Sequence, residues 1–170
     1  MKNKFVVRLA TSGLMAAIIV LLTAIVKIPV TGGGYIHLGD AAIFLTTAVL
    51  SGPFAIPVAG IASAAADILS GYPAYAAGTF VIKCLMALVS LCFVRRSWAW
   101  KTVGFALAGV VMISGYFAYE AFILGYGLPG AIANIPWNIV QAVAGVALGL
   151  PLTAMAERLP VMRGLRELGE

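Results

Sequence analysis

Charge is the scarcest commodity in this 170-residue chain: Asp, Glu, Lys and Arg together make up 10% of it, against 62% hydrophobic residues. A soluble domain carries about 25% charged residues, so this chain could not cover a water-facing surface. Histidine occurs once and cysteine twice. One histidine excludes an H-E-x-x-H zinc site, and no metal or cofactor is expected. Cys84 and Cys92 fall within one apolar run, where their spacing along a helix forbids a disulfide. They read as packing residues. The sequence also lacks a G-x-x-x-x-G-K-[ST] phosphate loop and a G-x-S-x-G nucleophile elbow. Direct ATP binding of that type and acyl-transfer chemistry are therefore set aside, and the chain is not expected to be an enzyme.

What remains is long apolar runs, with a mean hydropathy of +1.05. A spanning helix needs about 20 mostly apolar residues. The expected fold is an all-α integral membrane protein, one domain over 1–170, with six transmembrane helices. The spans are placed at about 5–26, 38–50, 54–69, 78–94, 102–124 and 131–154. The second and third are short for a crossing and should be tilted or buried. The runs are apolar on every face, which excludes the alternation of a β-barrel. No cleavable signal peptide is expected.

The net charge of +5 does not indicate nucleic-acid binding, because the cations follow the loops. Nine of the eleven fall in segments on one side: Lys2, Lys4, Arg8, Arg95, Arg96, Lys101, Arg158, Arg163 and Arg166. The opposite loops hold only Lys27. The positive-inside rule then puts both termini in the cytoplasm. The expected location is a cell membrane of the bacterial cytoplasmic type, crossed several times.

The few polar side chains inside the spans gather at one depth. His37 and Asp40 open span two, Asp67 closes span three, and Lys83 lies just inside span four. Glu120 ends span five, and Asn134, Asn138 and Gln141 begin span six. All fall in the outer third of the bilayer. Buried ionisable groups are costly there and face a cavity or one another, so one outward-opening polar cavity is expected. Simpler roles compete. His37 could be merely interfacial, and Asp40 could cap a helix N-terminus. Lys83 could pair with Asp67 or with Asp40. Glu120 has no evident basic partner at its depth apart from Lys83. Asn134, Asn138 and Gln141 share a helix face that could bind neighbouring helices or the edge of a heterocycle. Tyr35, Tyr72, Tyr75, Tyr116, Tyr119, Tyr126 and Trp137 lie at the same level. Most fit an interfacial belt, while Trp137, inside the polar stripe, is the best placed to stack on a planar ligand.

Small residues form a further pattern. Ser12/Ala16 and Gly13/Ala17 on span one are spaced for close helix packing or for docking a partner protein.

The run HLGDAAIFLTTAVLSGPFAIPVAGIASAAADILSGYPAYAAGTFVIKCL, residues 37–85, resembles the substrate-binding S component of energy-coupling factor (ECF) vitamin transporters. The matching pieces are LGD at Leu38–Asp40, the Ser51-Gly52-Pro53 turn, Asp67 with the following ILSGY, and TFVIK at Thr79–Lys83. The subgroup resembled includes S components for hydroxymethylpyrimidine, vitamin B6, riboflavin and queuosine precursors. The resemblance implies capture of a vitamin from outside, docking on a transmembrane T component with two cytoplasmic ATPases, and inward delivery by toppling. It also implies a T-component contact through an A-x-x-x-A face on span one. That literal pattern is absent here, and the Ser12, Gly13, Ala16 and Ala17 pairs stand in its place.

Tyr35, His37, Asp67, Tyr75, Lys83, Glu120, Asn134, Trp137, Asn138 and Gln141 are therefore expected to bind ligand, under a lid hinged on Gly32, Gly33 and Gly34. Hydroxymethylpyrimidine or pyridoxine suits this set of groups. The alternative is a stand-alone ion-coupled transporter using Asp67, Lys83 and Glu120 as a proton relay.

Overall fold

The computed structural model describes residues 2–30, 33–50 and 52–160. Its order is α1 (Lys2–Ala24), β1 (Lys27–Pro29), β2 (Tyr35–His37), α2 (Gly39–Leu50), α3 (Ala55–Leu69), a 3-10 turn (Pro73–Tyr75), α4 (Ala76–Phe93), α5 (Trp98–Phe122) and α6 (Gly127–Arg158). Four of the helices, α1, α4, α5 and α6, are long and apolar enough to cross a bilayer, α4 being counted with the turn before it. The other two, α2 and α3, have 12 and 15 residues.

The short helix α2 is the centre of the bundle. Eleven of its twelve residues are buried. It packs on α6 and α1 and also meets α3 and α4, while α1–α3–α4–α5–α6 run as successive neighbours around it. A 12-residue helix is about 18 Å long, well short of the hydrocarbon core. Its surroundings are protein, so it need not match the bilayer. Its sequence, GDAAIFLTTAVL, is small or apolar on every side, as a helix buried all round must be. Thr46 and Thr47 satisfy their hydroxyls on the helix's own carbonyls, at Ala42 and Phe44. Thr47 also bonds Ser90 on α4, at 2.7 Å.

Two helices begin earlier than the apolar pattern indicates. α6 opens at Gly127 rather than near 131. Pro129 and its neighbouring glycines look like breakers, yet proline is tolerated in a first turn, where its missing N–H has no partner to lose. At 32 residues α6 is about 48 Å long, exceeding a bilayer core even with Pro136 and Pro151 inside it. Helix α5 starts at Trp98, which takes Lys101 into the helix. There its ammonium meets both carboxylate oxygens of Glu157 on α6, at 2.8 and 2.9 Å.

The segment after α1 departs from an all-α fold. It forms an antiparallel hairpin with Lys27 opposite His37, Ile28 opposite Ile36 and Pro29 opposite Tyr35. β-branched Ile28, Val30 and Ile36 favour extended backbone. Gly33 has φ +98°, a conformation that other residues avoid. The hairpin is pinned by the Val30 N–H donating to the Gly34 carbonyl at 3.0 Å. Lys27 adds a bond to the Ser70 carbonyl at the end of α3, at 3.1 Å.

The α2–α5–α6 core centres on Phe44, stacked on Phe105 with centroids 4.1 Å apart and planes 5° from parallel. α6 comes close through glycines: a Cβ at Gly149 would lie 2.7 Å from the Phe44 ring, and one at Gly145 would lie 2.9 Å from the Asp40 Cβ. Phe44→Ala should therefore open a cavity that α6 cannot fill. The expected loss is about 3–5 kcal/mol, read as a lowered unfolding midpoint in detergent, and an unchanged midpoint would contradict the packing.

Candidate functional site

A cavity lies beneath the hairpin, where the ends of α3 to α6 nearest to it converge. Gly34, Tyr35 and His37 form its roof. Asp67 comes from α3, Tyr75 and Thr79 from the turn and start of α4, and Tyr116 and Glu120 from α5. Asn134, Trp137, Asn138 and Gln141 supply the α6 wall. The cavity volume is about 30 Å³. With the hairpin in this position the cavity is narrow, and a ring-sized ligand could enter only if the roof moved.

The polar groups of the wall are incompletely paired. Asp67 Oδ1 accepts a 2.6 Å bond from the Tyr35 hydroxyl, but Asp67 Oδ2 is buried with no partner among the described residues. Glu120 repeats the arrangement. Its Oε1 accepts from the Tyr75 hydroxyl at 3.0 Å, while Oε2 is buried with no partner among the described residues. The Asn134 amide also lies against Glu120. Acceptors that the chain leaves unpaired are expensive to bury, so these two oxygens call for donors from water or from a ligand. Among the described residues, no Lys or Arg lines the cavity. The rings of Tyr35 and Tyr72 lie 4.7 Å apart, and Tyr75 has Tyr116 and Tyr119 within 6.4 Å, giving one flank an aromatic lining. Trp137, 40% exposed, lies at the opposite wall.

The roof is fixed by backbone and side-chain bonds together. The His37 N–H donates to Gln141 Oε1 at 3.1 Å, and His37 Nδ1 accepts from the Gly39 N–H at 3.0 Å. The imidazole is thus neutral, with its proton on Nε2. Burial pushes its pKa well below the usual value; the Asp40 carboxylate opposes this and Lys83 reinforces it. Burial, and then the Asp67 charge, raises the Tyr35 phenol, which remains a donor. A Cβ at Gly33 would come within 2.8 Å of the Tyr126 hydroxyl, and one at Gly34 within 3.3 Å of the Tyr75 hydroxyl. The glycines thus let the turn lie directly on these tyrosines. Gly32 lies outside the described residues.

Lys83 is the one ligand candidate that the structure does not bring to the cavity. It is fully buried behind the wall, where its ammonium donates to Asp40 Oδ1 at 2.5 Å and approaches Met86 Sδ at 3.5 Å. It sits 5.3 Å from the Tyr116 ring centroid. Its partner is Asp40 rather than Asp67, because α2 runs between α4 and α6. Nor is Asp40 a simple helix cap. Its second oxygen accepts from Gln141 Nε2 at 3.0 Å.

The span-one residues separate in the same way. Ser12 is buried, and Ala16 packs against a core cluster, so this pair faces the bundle. Gly13 and Ala17 are exposed, with open space beyond Gly13. Ser12 is therefore unavailable to a partner. Thr79 and Tyr116, bonded to each other at 2.9 Å, line the cavity without having been among the candidates. Each precedes a candidate by four residues, Lys83 and Glu120 respectively, and so shares its helix face.

His37 is the only histidine, so its ring signals can be followed by NMR in untagged protein. The folded state holds the imidazole neutral, whereas the unfolded chain protonates near 6.5. The resulting stability is complete above about pH 6.5 and declines as pH falls toward the lowered folded value. No ring titration should appear between about pH 8 and 5.5. A midpoint near 6.5 would mean that the imidazole is in water and the roof is open.

Comparison with known proteins gives a consistent picture. A family model described as "ECF-type riboflavin transporter, S component" matches residues 3–158. The thiamine precursor transporter HmpT of Lactococcus lactis subsp. cremoris (strain MG1363) is 26% identical over 169 residues, covering 98% of each chain. An uncharacterized "protein in gap 3'region" of Pyrococcus woesei is 39% identical over 131 residues, covering 75% of this chain and 86% of that one.

Proposed function

The chain belongs to the S components of ECF-type transporters, multi-pass proteins of the cell membrane, and on that footing we propose that it captures hydroxymethylpyrimidine beneath the hairpin. The two unpartnered carboxylate oxygens, Asp67 Oδ2 and Glu120 Oε2, carry this reading. A pyrimidine with an exocyclic amine and a hydroxymethyl group has a donor for each. Its ring nitrogens accept from amides of the Asn134 and Asn138 kind, and its faces suit Trp137 and the tyrosines. One small ring asks for a smaller displacement of the hairpin than the three fused rings of riboflavin. The full-length similarity to a thiamine precursor transporter supports the same choice. Pyridoxine, also a single ring with hydroxyl donors, is the second compound to test.

In this reading Tyr35, His37, Asp67, Tyr75, Glu120, Asn134, Trp137, Asn138 and Gln141 surround the ligand, and Gly33 and Gly34 let the hairpin open and reseat. The chain forms one membrane domain of six helices with both termini in the cytoplasm. It hands its ligand inward by toppling on a T component that two cytoplasmic ATPases drive, and it catalyses no reaction itself. Gly13 and Ala17 are the docking positions on α1, since small exposed residues permit close helix contact. The ion-coupled alternative has less support, because Lys83 is engaged by Asp40 and is not poised between Asp67 and Glu120.

Calorimetry on the purified chain in detergent tests the ligand. Hydroxymethylpyrimidine should bind more tightly than pyridoxine, and riboflavin should not bind. Asp67→Asn and Glu120→Gln should each weaken binding by about ten- to a hundredfold, the scale of a hydrogen bond to a charged group. Wild-type affinity in both variants would sink the assignment. Ala17→Trp separates capture from delivery: ligand binding should persist while uptake by cells carrying the whole transporter is lost. Normal uptake would remove α1 as the docking face.

A further inference from the structure

The ion pair behind the cavity is joined to its roof by an unbroken chain of hydrogen bonds. Lys83 on α4 donates to Asp40 Oδ1. Asp40 Oδ2 accepts from Gln141 Nε2 on α6, at 3.0 Å, and Gln141 Oε1 accepts from the His37 N–H of the hairpin, at 3.1 Å. Lys83, Asp40 and Gln141 are all buried. Neither Lys83 nor Asp40 lines the cavity, whereas Gln141 and His37 do.

Each link has only one workable polarity. An ammonium can only donate, so it must face a carboxylate oxygen. A carboxylate can only accept, so Gln141 must offer it the amide nitrogen. Gln141 is then left with its oxygen toward the hairpin, which is what the His37 N–H requires. Gly145 allows the approach, since a Cβ there would crowd Asp40, one turn along α6 from Gln141.

We propose that Asp40 and Lys83 are positioning residues for ligand capture. They never touch the ligand, but they fix the orientation of the Gln141 amide, and Gln141 in turn holds the hairpin over the cavity. Three helices and the roof are thereby set by one buried pair. The assignment of a vitamin to the cavity rests on the family reading above, whereas the link from ion pair to hairpin stands on this geometry alone.

Asp40→Asn reverses one step of the chain. Lys83 keeps the asparagine oxygen, so the asparagine nitrogen is presented to Gln141. The glutamine must then either face a donor with a donor or turn and offer its nitrogen to the His37 N–H. Adding Gln141→Glu resolves the conflict, because a carboxylate accepts at both ends. It also returns the lost negative charge to the site. Gln141→Met removes both glutamine bonds while leaving the ion pair in place, and it serves as the independent variant if Asp40→Asn alone does not fold.

The readout is hydrogen exchange of the hairpin peptide, residues 33–38, in ligand-free full-length protein. In Asp40→Asn and in Gln141→Met the His37 amide should exchange about tenfold faster, the scale of one lost bond in a locally opening segment. In Gln141→Met the core amides of α2, α4 and α5 should stay protected. The double variant Asp40→Asn/Gln141→Glu should recover most of the His37 protection lost in Asp40→Asn.

Unchanged His37 exchange in Gln141→Met would overturn the proposal. So would a double variant no better protected than Asp40→Asn, or acceleration spread equally over the helices, since these are what a purely structural ion pair predicts. A second arm measures hydroxymethylpyrimidine dissociation, which should quicken in Gln141→Met. If no ligand on the panel binds even wild-type protein, the substrate assignment fails, while the exchange result still decides the link.

Discussion

A charged pair buried in a lipid-embedded bundle constrains everything around it. Removing an ammonium and a carboxylate from water carries a penalty that only close pairing and further hydrogen bonds can offset. Lys83 and Asp40 meet that condition with Gln141 as the third member. The helices bearing them therefore have little freedom to slide. Displacing α2, α4 or α6 along its axis would leave a bare charge or a bare amide in an apolar interior. The short central helix is held in register by this pair at one end and by the Phe44–Phe105 stack deeper in the bundle.

Polarity is divided into two compartments by this arrangement. Behind the wall, Lys83 is bonded and Asp40 has partners on both oxygens. In the wall, Asp67 and Glu120 each use one oxygen on a tyrosine and leave the other unpartnered among the described residues. The satisfied compartment supports the fold, and the other, in the reading proposed above, is where the ligand supplies the missing donors. The hairpin belongs to both, because its backbone is tied to Gln141 while Tyr35 bonds Asp67.

Much of this was legible before any coordinates. Apolar length places the helices, and shared depth singles out the polar residues that converge. Nearly all the ligand candidates do line one cavity. Composition marks α2 and α3 as too short to span alone but says nothing of how α2 is enclosed. The hairpin was not foreseen, because TGGGY reads as loose loop and two three-residue strands leave little periodic trace. Early starts for α5 and α6 were hidden by tryptophans and by Pro129, residues that signal interfaces and breaks. Thr79 and Tyr116 could have been found from helical spacing. Ser12 could not have been excluded, since small residues on a lipid-embedded helix look alike whether they face protein or lipid.

The sequence by itself determined the solvent and the helices, and it marked out the polar groups that converge, because each follows from transfer energies and periodicities that act locally along the chain. Only the tertiary structure decided partners. Lys83 has three carboxylates at its depth, Asp40, Asp67 and Glu120, and hydropathy cannot rank them. The choice depends on α2 lying between α4 and α6, and that placement depends on where a glycine lets two backbones meet. Distances of 3 Å between residues a hundred positions apart, such as Gln141 and Asp40, belong to the packed bundle and to no segment of it.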